Sequence, residues 1–495
     1  MPNDWTKPRM TDWLAPSQLI STGLKTLRST ELGGMIDARR IAALESGNQG
    51  VVFDYSGQEN FSFDYMADTG DGWDSTYTMA YLLSSAAITP EGSHDALPRP
   101  NVLILGGDEV YPVASKMQYA KRLIWPFNQA ARNLGLEKQD LSQVFLIPGN
   151  HDWYDSLASF TRRFCSGRRF GIFRTSQRRT YFALRLPHNW EIWAADVQLH
   201  EDLDVPQMRF FRDQAAQLTN ESRVILCLPE PEWTYGQQKP REDRFTTIDW
   251  FQNRIHERNA RVPLMLAGDV HNYQRYEGAS STNPPYRQVK LVAGGGGAFL
   301  HPTHRFKLND GSKAFQCTQC YPEQCKSFAL SFRLLLFPFT CFWMSLLIAL
   351  VDTLTFPLHH GGSIAGLILI FASFTVLGWK AGPSFAWGLV HGLAQSAAGF
   401  KAWELTSGNL ASQFLGSGIA GGAVFGLYLF LGLNLFGLHR NEAFAALGHP
   451  HFKNFLRISL DANQLAVKVL AVEKTAGEEA AHPVPVRLVE TITLP

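Results

Sequence analysis

The sequence predicts an α/β layered fold joined to an α-helical transmembrane bundle. Six short runs of apolar and β-branched residues, several of them separated by helical stretches, lie between residues 61 and 292. This alternation is typical of layered α/β sheets. Further along, residues 327–438 contain only five formally charged side chains, a density typical of membrane segments. A chain of 495 residues also exceeds the usual size of one domain, so it is expected to divide.

Residues 1–50 are predicted to form a polar helical segment that packs on the rest of the chain and contributes no catalytic residue. Its first twenty residues carry four scattered charges and lack an apolar core, so no secretory signal is predicted. The strand pattern begins after this segment. Strands are predicted over 61–67, 101–105, 144–147, 223–228, 263–266 and 288–292, and helices over 116–134 and 207–218.

Four apolar runs predict membrane helices, over residues 334–351, 364–379, 385–400 and 413–438. The second and third are barely long enough to span a bilayer, so two spans are the alternative. Glycines recur at every fourth position in the last run, as Gly418, Gly422 and Gly426. Such a face favours close helix packing, either within one bundle or in a homo-oligomer.

Basic residues predict how these spans are oriented. Lys326 and Arg333 precede the first run and Arg440 follows the last, whereas the connector 352–363 has neither Lys nor Arg. The positive-inside rule therefore predicts an integral protein of an inner or plasma membrane, with both termini and the catalytic part in the cytoplasm.

Four segments are predicted in chain order. They are the helical segment 1–50, a catalytic domain over 51–326, the transmembrane region 327–440, and a small cytosolic tail over 441–495. In the tail, residues 455–472 predict a β-hairpin around Asp461-Ala462-Asn463.

The overall charge argues against a nucleic-acid partner. The 45 Lys and Arg residues are balanced by 44 Asp and Glu, giving a net charge of +1. Binding to a phosphate backbone needs clustered cations. The locally basic stretch 162–179 is interpreted as a solvated face.

Five short motifs each follow a predicted strand. They are Asp68-Thr69-Gly70, Gly107-Asp108-Glu109-Val110-Tyr111, Gly149-Asn150-His151-Asp152, Pro229-Glu230-Pro231 and Gly268-Asp269-Val270-His271. Ligands of such sheets gather beyond the carboxyl ends of the strands, so these side chains are expected to lie together. Hydrolysis of a phosphate ester by two metal ions needs a bridging carboxylate, further oxygen and nitrogen ligands, and an acid for the leaving group. The motifs contain all three.

In order and spacing, the motifs resemble the calcineurin-like metallophosphoesterase superfamily over roughly residues 50–305. The pattern of that superfamily is D-x-H or D-x-G, GD, GNH[DE], a late His, and G-H-x-H. The resemblance implies a metallophosphoesterase-type β-sandwich flanked by helices, and a phosphoester hydrolase.

The resemblance also implies the ligand set. Asp108 would bridge two metal ions, since a carboxylate has two oxygens. Asp68 and His271 would complete the first metal site, and Asn150 and Asp269 would belong to the second.

The catalytic groups are implied in the same way. His151 would protonate the leaving oxygen or stabilise the charged transition state. Asp152 would orient His151 through its other ring nitrogen. The nucleophile would be a hydroxide that bridges the metals.

Three positions depart from the commonest pattern of the superfamily. Gly70 replaces a ligating His, but purple acid phosphatases share this D-x-G and use the Tyr of GDxxY, which is Tyr111 here. Glu230 lies where the late His is expected. Asp269 replaces an imidazole. A second site of oxygen ligands favours Mn²⁺ or Mg²⁺ over Zn²⁺, and Fe is an alternative at the first site.

Other residues carry weaker predictions. Asp71 is equally compatible with a metal ligand and with a turn cap. Arg275 predicts a clamp for the substrate phosphate, with a surface cation as the alternative. The run 294–297 is either a phosphate cradle or a tight loop. His301, His304, Cys317, Cys320 and Cys325 could form a zinc cluster, but their spacing fits no standard set of zinc ligands. Reduced cytosolic thiols are therefore the favoured interpretation of these cysteines.

Together these features predict a membrane-anchored, metal-dependent phosphoesterase that hydrolyses a phosphomonoester or phosphodiester. The membrane anchor makes a lipid-linked phosphate an attractive substrate. The alternative is a phosphoesterase-like membrane scaffold or sensor whose metal ligands have been lost.

Overall fold

The computed structural model describes residues 5–19, 51–137, 139, 142–197, 203–235, 247–308, 314–355, 384–406, 409–480 and 483–495. Within these residues the chain has a mixed α/β structure with two eight-stranded sheets and one two-stranded sheet. Much of the predicted segment 1–50 and the predicted membrane run 364–379 lie outside the described residues.

Sheet 1 is built from the middle of the chain. Its strands, in spatial order, are β1 (Val52–Asp54), β9 (Phe182–Arg185), β10 (Trp190–Ala194), β11 (Arg223–Leu228), β12 (Arg261–Ala267), β14 (Arg287–Ala293), β13 (Tyr273–Ala279) and β15 (Phe315–Tyr321). Neighbouring strands from β10 through β11 and β12 to β14 are parallel.

Sheet 2 combines the two ends of the chain. Its strands, in spatial order, are β18 (Arg487–Leu494), β17 (Leu465–Val472), β16 (Lys453–Leu460), β2 (Phe61–Met66), β5 (Val102–Leu105), β6 (Ser142–Leu146), β8 (Phe173–Thr175) and β7 (Arg169–Phe170). The central strands β2, β5 and β6 are parallel, and β16 pairs with β2 in the antiparallel sense. The two-stranded sheet pairs β3 (Ala87–Ile88) with β4 (Leu97–Pro98).

The six predicted strands are all present, as β2, β5, β6, β11, β12 and β14. Strand β5 shows why they form. Its four residues are buried on both faces: Val102 and Ile104 contact one apolar core, and Leu103 and Leu105 another. A continuous apolar run is the pattern expected of a parallel strand that is covered on both sides.

One apolar core is shared by the two sheets. It contains Phe63 and Ile104 from sheet 2 together with Ile192 and Leu264 from sheet 1, all at most 1% exposed. Full burial of each such side chain contributes about 1.5–3 kcal/mol. Each sheet also has one further apolar core on its outer face, where helices cover it.

The helices of the sheet region begin at recognisable signals. They are α1 (Trp73–Ser84), α2 (Lys116–Gln118), which continues through a π-helical turn (Tyr119–Ile124) into α3 (Trp125–Asn133), α4 (Asn150–Trp153), α5 (Ala158–Phe164), α6 (Val205–Ala215), α7 (Glu232–Tyr235) and α8 (Thr247–His256). Ser115 caps α2 and Asp204 caps α6 through side-chain oxygens that accept backbone N–H groups. The two predicted helices therefore agree with α2–α3 and α6.

The C-terminal segment, expected as a separate tail, supplies three strands of sheet 2. The predicted hairpin around residues 461–463 is present as β16 and β17. Arg457 on β16 donates to both carboxylate oxygens of Asp64 on β2, over 2.9 and 2.8 Å, and to the carbonyl of Leu97 over 2.7 Å. These strands therefore belong to the same layer that positions the first two motifs.

Helices also make up most of the described chain between β15 and β16. They are α9 (Gln324–Ser331), a 3-10 turn (Phe332–Leu336), α10 (Phe337–Thr340), α11 (Phe342–Thr355), α12 (Ser384–Leu405), α13 (Leu410–Leu431), a π-helical turn (Gly432–Phe436) and α14 (Arg440–Leu447). Many exposed large apolar side chains of the described chain lie here, among them Phe339, 73% exposed, and Leu435, 62% exposed.

One described helix, Leu410–Phe436, is long and apolar enough to cross a membrane, with a mean hydropathy of 1.8. A second crossing would result if Gln324–Thr340 and Phe342–Leu354, which meet at a bend of 53°, formed one broken span. This accounts for two of the four predicted runs, and the four-helix transmembrane bundle stays a prediction.

Candidate functional site

The motif loops converge at the carboxyl ends of the parallel strands. The backbone N–H of Asp68 donates to the carbonyl of Gly107 over 2.9 Å, and that of Thr69 to the carbonyl of Asp108 over 3.0 Å. Asp68, Asp108 and Asp269 all have left-handed backbones, with φ of 58°, 54° and 65°. Non-glycine residues in this region cost about 1–3 kcal/mol each and persist where the surroundings fix them. The three carboxylates are therefore held in position by the fold.

The hydroxyl of Tyr111 is the centre of the cluster. It lies 2.9 Å from Oδ1 of Asp68, 3.1 Å from Oδ2 of Asp108 and 3.0 Å from Nε2 of His271. Nδ1 of His271 donates to the carbonyl of Phe299 over 2.8 Å, so the lone pair of the neutral ring is on Nε2 and faces the hydroxyl. Four predicted ligands thus meet at one point.

A cavity of about 770 Å³ opens over this point. Asp108, Asn150, His151, Asp269 and His271 all line it. The backbone N–H of His151 donates to Oδ1 of Asp108 over 2.8 Å, and Oδ1 of Asn150 is buried with no hydrogen-bond partner. An oxygen left in this state is suited to a ligand.

Counting only His, Cys, Asp and Glu, no group of three or more described residues is placed to hold a metal ion. Asp68, Asp108 and His271 therefore do not form a metal-binding group by themselves, and the hydroxyl of Tyr111 is a further donor that lies among them.

Negative charge accumulates in the cluster. Burial, and then the neighbouring Asp269, raise the pKa of Asp108 to about 8. Burial and then Asp108 raise the pKa of Asp68 well above its ordinary value. Glu109 is fully buried, neither of its carboxyl oxygens has a hydrogen-bond partner, and burial followed by Asp152 raises its pKa. Carboxylates this close need protons or cations to offset their repulsion.

The orientation of His151 corrects one prediction. Its Nδ1 lies 2.7 Å from the carbonyl of Pro112, so Pro112, and not Asp152, orients the ring. The carboxylate of Asp152 instead accepts from the N–H of Gly149 over 2.9 Å and from the hydroxyl of Tyr119 over 2.5 Å. Asp152 lies in the first turn of α4, where a carboxylate folds back onto free backbone N–H groups.

Burial sets the protonation state of His151. It lowers the pKa of the ring to about 4, and the attraction of Asp269 only partly opposes this. Because Nδ1–H donates to Pro112, Nε2 of the neutral ring carries the lone pair. Nε2 is therefore the atom that can exchange a proton with a bound molecule.

Two glycines allow the groups to approach one another. A Cβ on Gly149 would lie 2.1 Å from Oδ1 of Asp108. Gly70 has a φ of +62°, and a Cβ there would lie 2.1 Å from the carbonyl of Glu109. The backbone at position 70 therefore has no room for a side chain, histidine included.

Glu230 and Arg275 are not among the described residues that line the cavity. Glu230 is the second residue after β11, and its role as a ligand stays a prediction. Arg275 is turned away, which contradicts the predicted phosphate clamp: its Nη1 lies 3.2 Å from Glu490 and 3.4 Å from Glu277. Neighbours on a strand face opposite sides, so Gln274 lines the cavity and Arg275 does not.

Structural roles account for the weaker candidates. Oδ1 of Asp71 accepts from the hydroxyl and the N–H of Thr11 and pairs with Arg122 over 3.3 Å. His304 contacts Ser327 through Nδ1 and Asn434 through Nε2, so both of its ring nitrogens are engaged within the protein. A Cβ added at any glycine of the run 294–297 would meet a neighbouring atom at 3.0 Å or less, as expected of a tightly packed turn.

The sequence did not predict several residues of the cavity, among them Trp13, His301 and Arg440. The ring of His301 stacks on that of His271, with centroids 4.0 Å apart. Its position soon after β14, a parallel strand, could have placed it here by the same rule as the motifs. Trp13 and Arg440 come from distant segments and carry no local signal.

Comparisons with known proteins give little further information. No family model matches the chain, and no curated protein matches it. A solved structure described as "GAP50 the anchor in the inner membrane complex of Plasmodium" is similar at 11% sequence identity and a TM-score of 0.35, over 53% of this chain and 78% of that one. Similarity at this level supports no inference about fold or function.

Proposed function

We propose that the chain is a metal-dependent phosphoesterase that binds two metal ions at the cluster beneath the cavity. The observation that carries the proposal is the meeting of Asp68, Asp108, Tyr111 and His271 around one point, with Asn150, His151 and Asp269 on the adjoining wall. The motifs that resemble the metallophosphoesterase superfamily supply all seven residues.

The spacing of these atoms supports an ion at the first site. Neighbouring ligands of an octahedral ion with bonds of about 2.1 Å lie about 3.0 Å apart. The oxygen of Tyr111 lies 2.9, 3.1 and 3.0 Å from its three neighbours, whereas Nε2 of His271 and Oδ1 of Asp68 are 3.8 Å apart. The positive charge of the ions would also offset the repulsion between the buried carboxylates.

The second site would use Asp108, Asn150 and Asp269, with Glu230 as the further predicted ligand. These oxygen donors favour Mn²⁺ or Mg²⁺, and the phenol oxygen of Tyr111 makes Fe an alternative at the first site. When bound, the ions supply Lewis acidity and lower the pKa of water.

The reaction would transfer a phosphoryl group to water. The oxygen of water forms a bond to phosphorus, the bond from phosphorus to the alcohol oxygen breaks, and that oxygen takes up a proton. His151 lines the cavity, and only its Nε2 is free for proton exchange because Nδ1–H donates to Pro112. The negative charge of a bound phosphate favours the protonated ring that would donate to the leaving oxygen.

Two substitutions separate metal binding from proton transfer. Asp108→Asn should reduce the metal content of the purified protein and abolish hydrolysis of an aryl phosphate. His151→Ala should keep the metal content and slow turnover by about 10² to 10⁴. Matched controls are Asp213→Asn and His94→Ala, since both residues are exposed and neither lines the cavity. Full activity in Asp108→Asn or His151→Ala would overturn the mechanism.

A non-catalytic scaffold or sensor is the second candidate. Glu230 is not among the described residues that line the cavity. If Glu230 binds no metal, the second site lacks one of its predicted ligands, which favours the scaffold or sensor. A wild-type protein that retains no metal after purification with Mn²⁺ and Fe would support the scaffold and exclude the enzyme.

We also propose that the catalytic part lies in the cytoplasm, on the basis of the basic residues that flank the apolar runs. A single cysteine at Asp95, which is exposed, tests the orientation in a background without the native cysteines. It should react with a membrane-impermeant thiol reagent only after cell lysis. Labelling in intact cells would place the catalytic part on the outer side.

A further inference from the structure

The cavity has three different walls. Its floor is the cluster around Asp108 and His271, and one side is apolar, with Trp13, Leu14 and Phe306. The third wall is the segment 437–442 together with Ala445, which follows the apolar helix Leu410–Phe436. Its volume of about 770 Å³ lies within the usual range of about 300–1,000 Å³ for small-molecule sites.

Two arginines meet at Gly437 of the third wall: Arg440 lines the cavity, and Arg305, which is not among the described lining residues, approaches from behind it. A Cβ on Gly437 would lie 3.1 Å from Nη2 of Arg305 and 3.5 Å from Nη2 of Arg440, so the two guanidinium groups approach the same point. Nη1 of Arg305 donates to the carbonyl of Asn434 over 2.8 Å, and Nε of Arg440 donates to the carbonyl of Gly437 over 3.2 Å. These contacts position both cations without neutralising them.

Among the described residues, neither Arg305 nor Arg440 is paired with an acidic side chain, although Glu442 lies on the same wall. Burial, followed by the nearby charge of Arg305, lowers the pKa of Arg440, yet a guanidinium stays protonated at neutral pH. Two adjacent cations are stabilised by an anionic group between them, and their forked geometry suits a phosphate.

The arginines also lie where an apolar surface begins. Leu435 and Phe436, directly before Gly437, are 62% and 54% exposed. They end the one described helix that is long and apolar enough to cross a membrane. Lipid head groups lie at the ends of such helices, where basic residues contact them.

We propose that the substrate is a membrane lipid that carries a phosphate monoester. This inference rests on the proposed function and names the substrate class of the same site. Arg440, supported by Arg305, first binds the phosphate as the lipid enters from the bilayer, and the acyl chains contact Leu14 and Phe306 on the apolar side and Leu438 on the third wall. The phosphate then reaches the cluster at Asp108, where water replaces the lipid alcohol.

Two substrates with the same head group test the proposal in the full-length protein. Dioleoyl phosphatidic acid in mixed micelles and glycerol 3-phosphate both present a glycerol phosphate monoester, and only the first has acyl chains. We expect a kcat/KM for phosphatidic acid at least about a hundred-fold higher, because each buried methylene contributes to binding. Leu438→Asn should lower this ratio by about ten-fold.

The arginine is tested by a matched pair of variants. Arg440→Gln should raise KM for phosphatidic acid at least about ten-fold and change kcat much less, since a charge-assisted contact is lost in binding. Arg275→Gln is the control, because Arg275 pairs with Glu277 and Glu490 away from the cavity. A photoactivatable phosphatidic acid should also label the segment 437–445 in metal-free protein, which reports binding without turnover. The melting temperature of each variant checks that it folds.

The outcomes separate this proposal from the proposed function. Hydrolysis of glycerol 3-phosphate or an aryl phosphate with no preference for phosphatidic acid would overturn the lipid substrate and leave the phosphoesterase intact. Hydrolysis of no phosphoester by metal-loaded protein would overturn both. Equal KM values in Arg440→Gln and Arg275→Gln would remove Arg440 from substrate binding.

Discussion

Breaking the buried ion pair between Arg457 and Asp64 tests whether the C-terminal strands stabilise sheet 2. The two side chains are 5% and 2% exposed and make two hydrogen bonds across β16 and β2. Burial raises the pKa of Asp64, and Arg457 opposes that rise. Arg457→Met would leave the carboxyl of Asp64 buried without its cation.

The expected loss can be worked out from this geometry. Removing one partner of a buried pair costs about 3–5 kcal/mol. For a large domain each kcal/mol lowers the melting temperature by about 2 °C, so the midpoint of Arg457→Met should fall by about 6–10 °C. Scanning fluorimetry of the detergent-solubilised protein at pH 7 measures it.

Two controls make this result specific. Replacing both partners, as in Asp64→Leu with Arg457→Met, removes the unpaired charge and should restore the midpoint to within about 3 °C. Arg132→Met breaks an ion pair with Glu137 whose side chains are 58% and 48% exposed, and pairs of this kind contribute little. A midpoint for Arg457→Met equal to that of Arg132→Met would refute the claim that the C-terminal strands stabilise sheet 2.

Three further predictions concern single side chains. Tyr111→Phe should lose the visible charge-transfer band expected of an iron(III)-loaded wild-type sample, and a colourless wild-type sample containing iron would return Tyr111 to a packing role. Gly149→Ala should lose metal content because its Cβ would lie 2.1 Å from Oδ1 of Asp108, whereas Gly57→Ala, with nothing within 4 Å, should bind metal normally. Burial lowers the pKa of Lys290 from 10.5 to about 8. The unfolded chain therefore binds more protons between these values, and stability should rise with pH across that window. Lys290→Met should raise the melting temperature at pH 7 and abolish this rise, and an unchanged pH profile would count against the assignment.

Local sequence pattern was sufficient for the parallel strands of the two sheets. The run 223–228 agrees residue for residue with β11, because a fully buried strand reads as an uninterrupted apolar segment. The motif positions then followed from the rule that ligands gather beyond the carboxyl ends of such strands. Asp68, Asp108, Tyr111 and His271 were brought together on this basis.

Long-range pairing was not predictable in the same way. Strand β16 pairs with β2 almost four hundred residues earlier in the chain, and no local pattern records which edge a distant hairpin will join. Arg275 was assigned from its position after a motif, but its direction depends on which face of β13 is turned to the cavity. Trp13 and Arg440 reach the cavity from segments that only the folded chain brings close.

The pairing of β2 with β16 also limits how often the chain can cross a membrane. Strands that hydrogen-bond in one sheet lie on the same side of a bilayer, and every predicted membrane run lies between Met66 and Lys453. A chain that leaves one side and returns to it crosses an even number of times. Counts of two or four are compatible with this sheet, and counts of one or three are not. If the helix Leu410–Phe436 crosses a membrane, it therefore requires a partner crossing, and the bent pair before it is the described segment able to provide one.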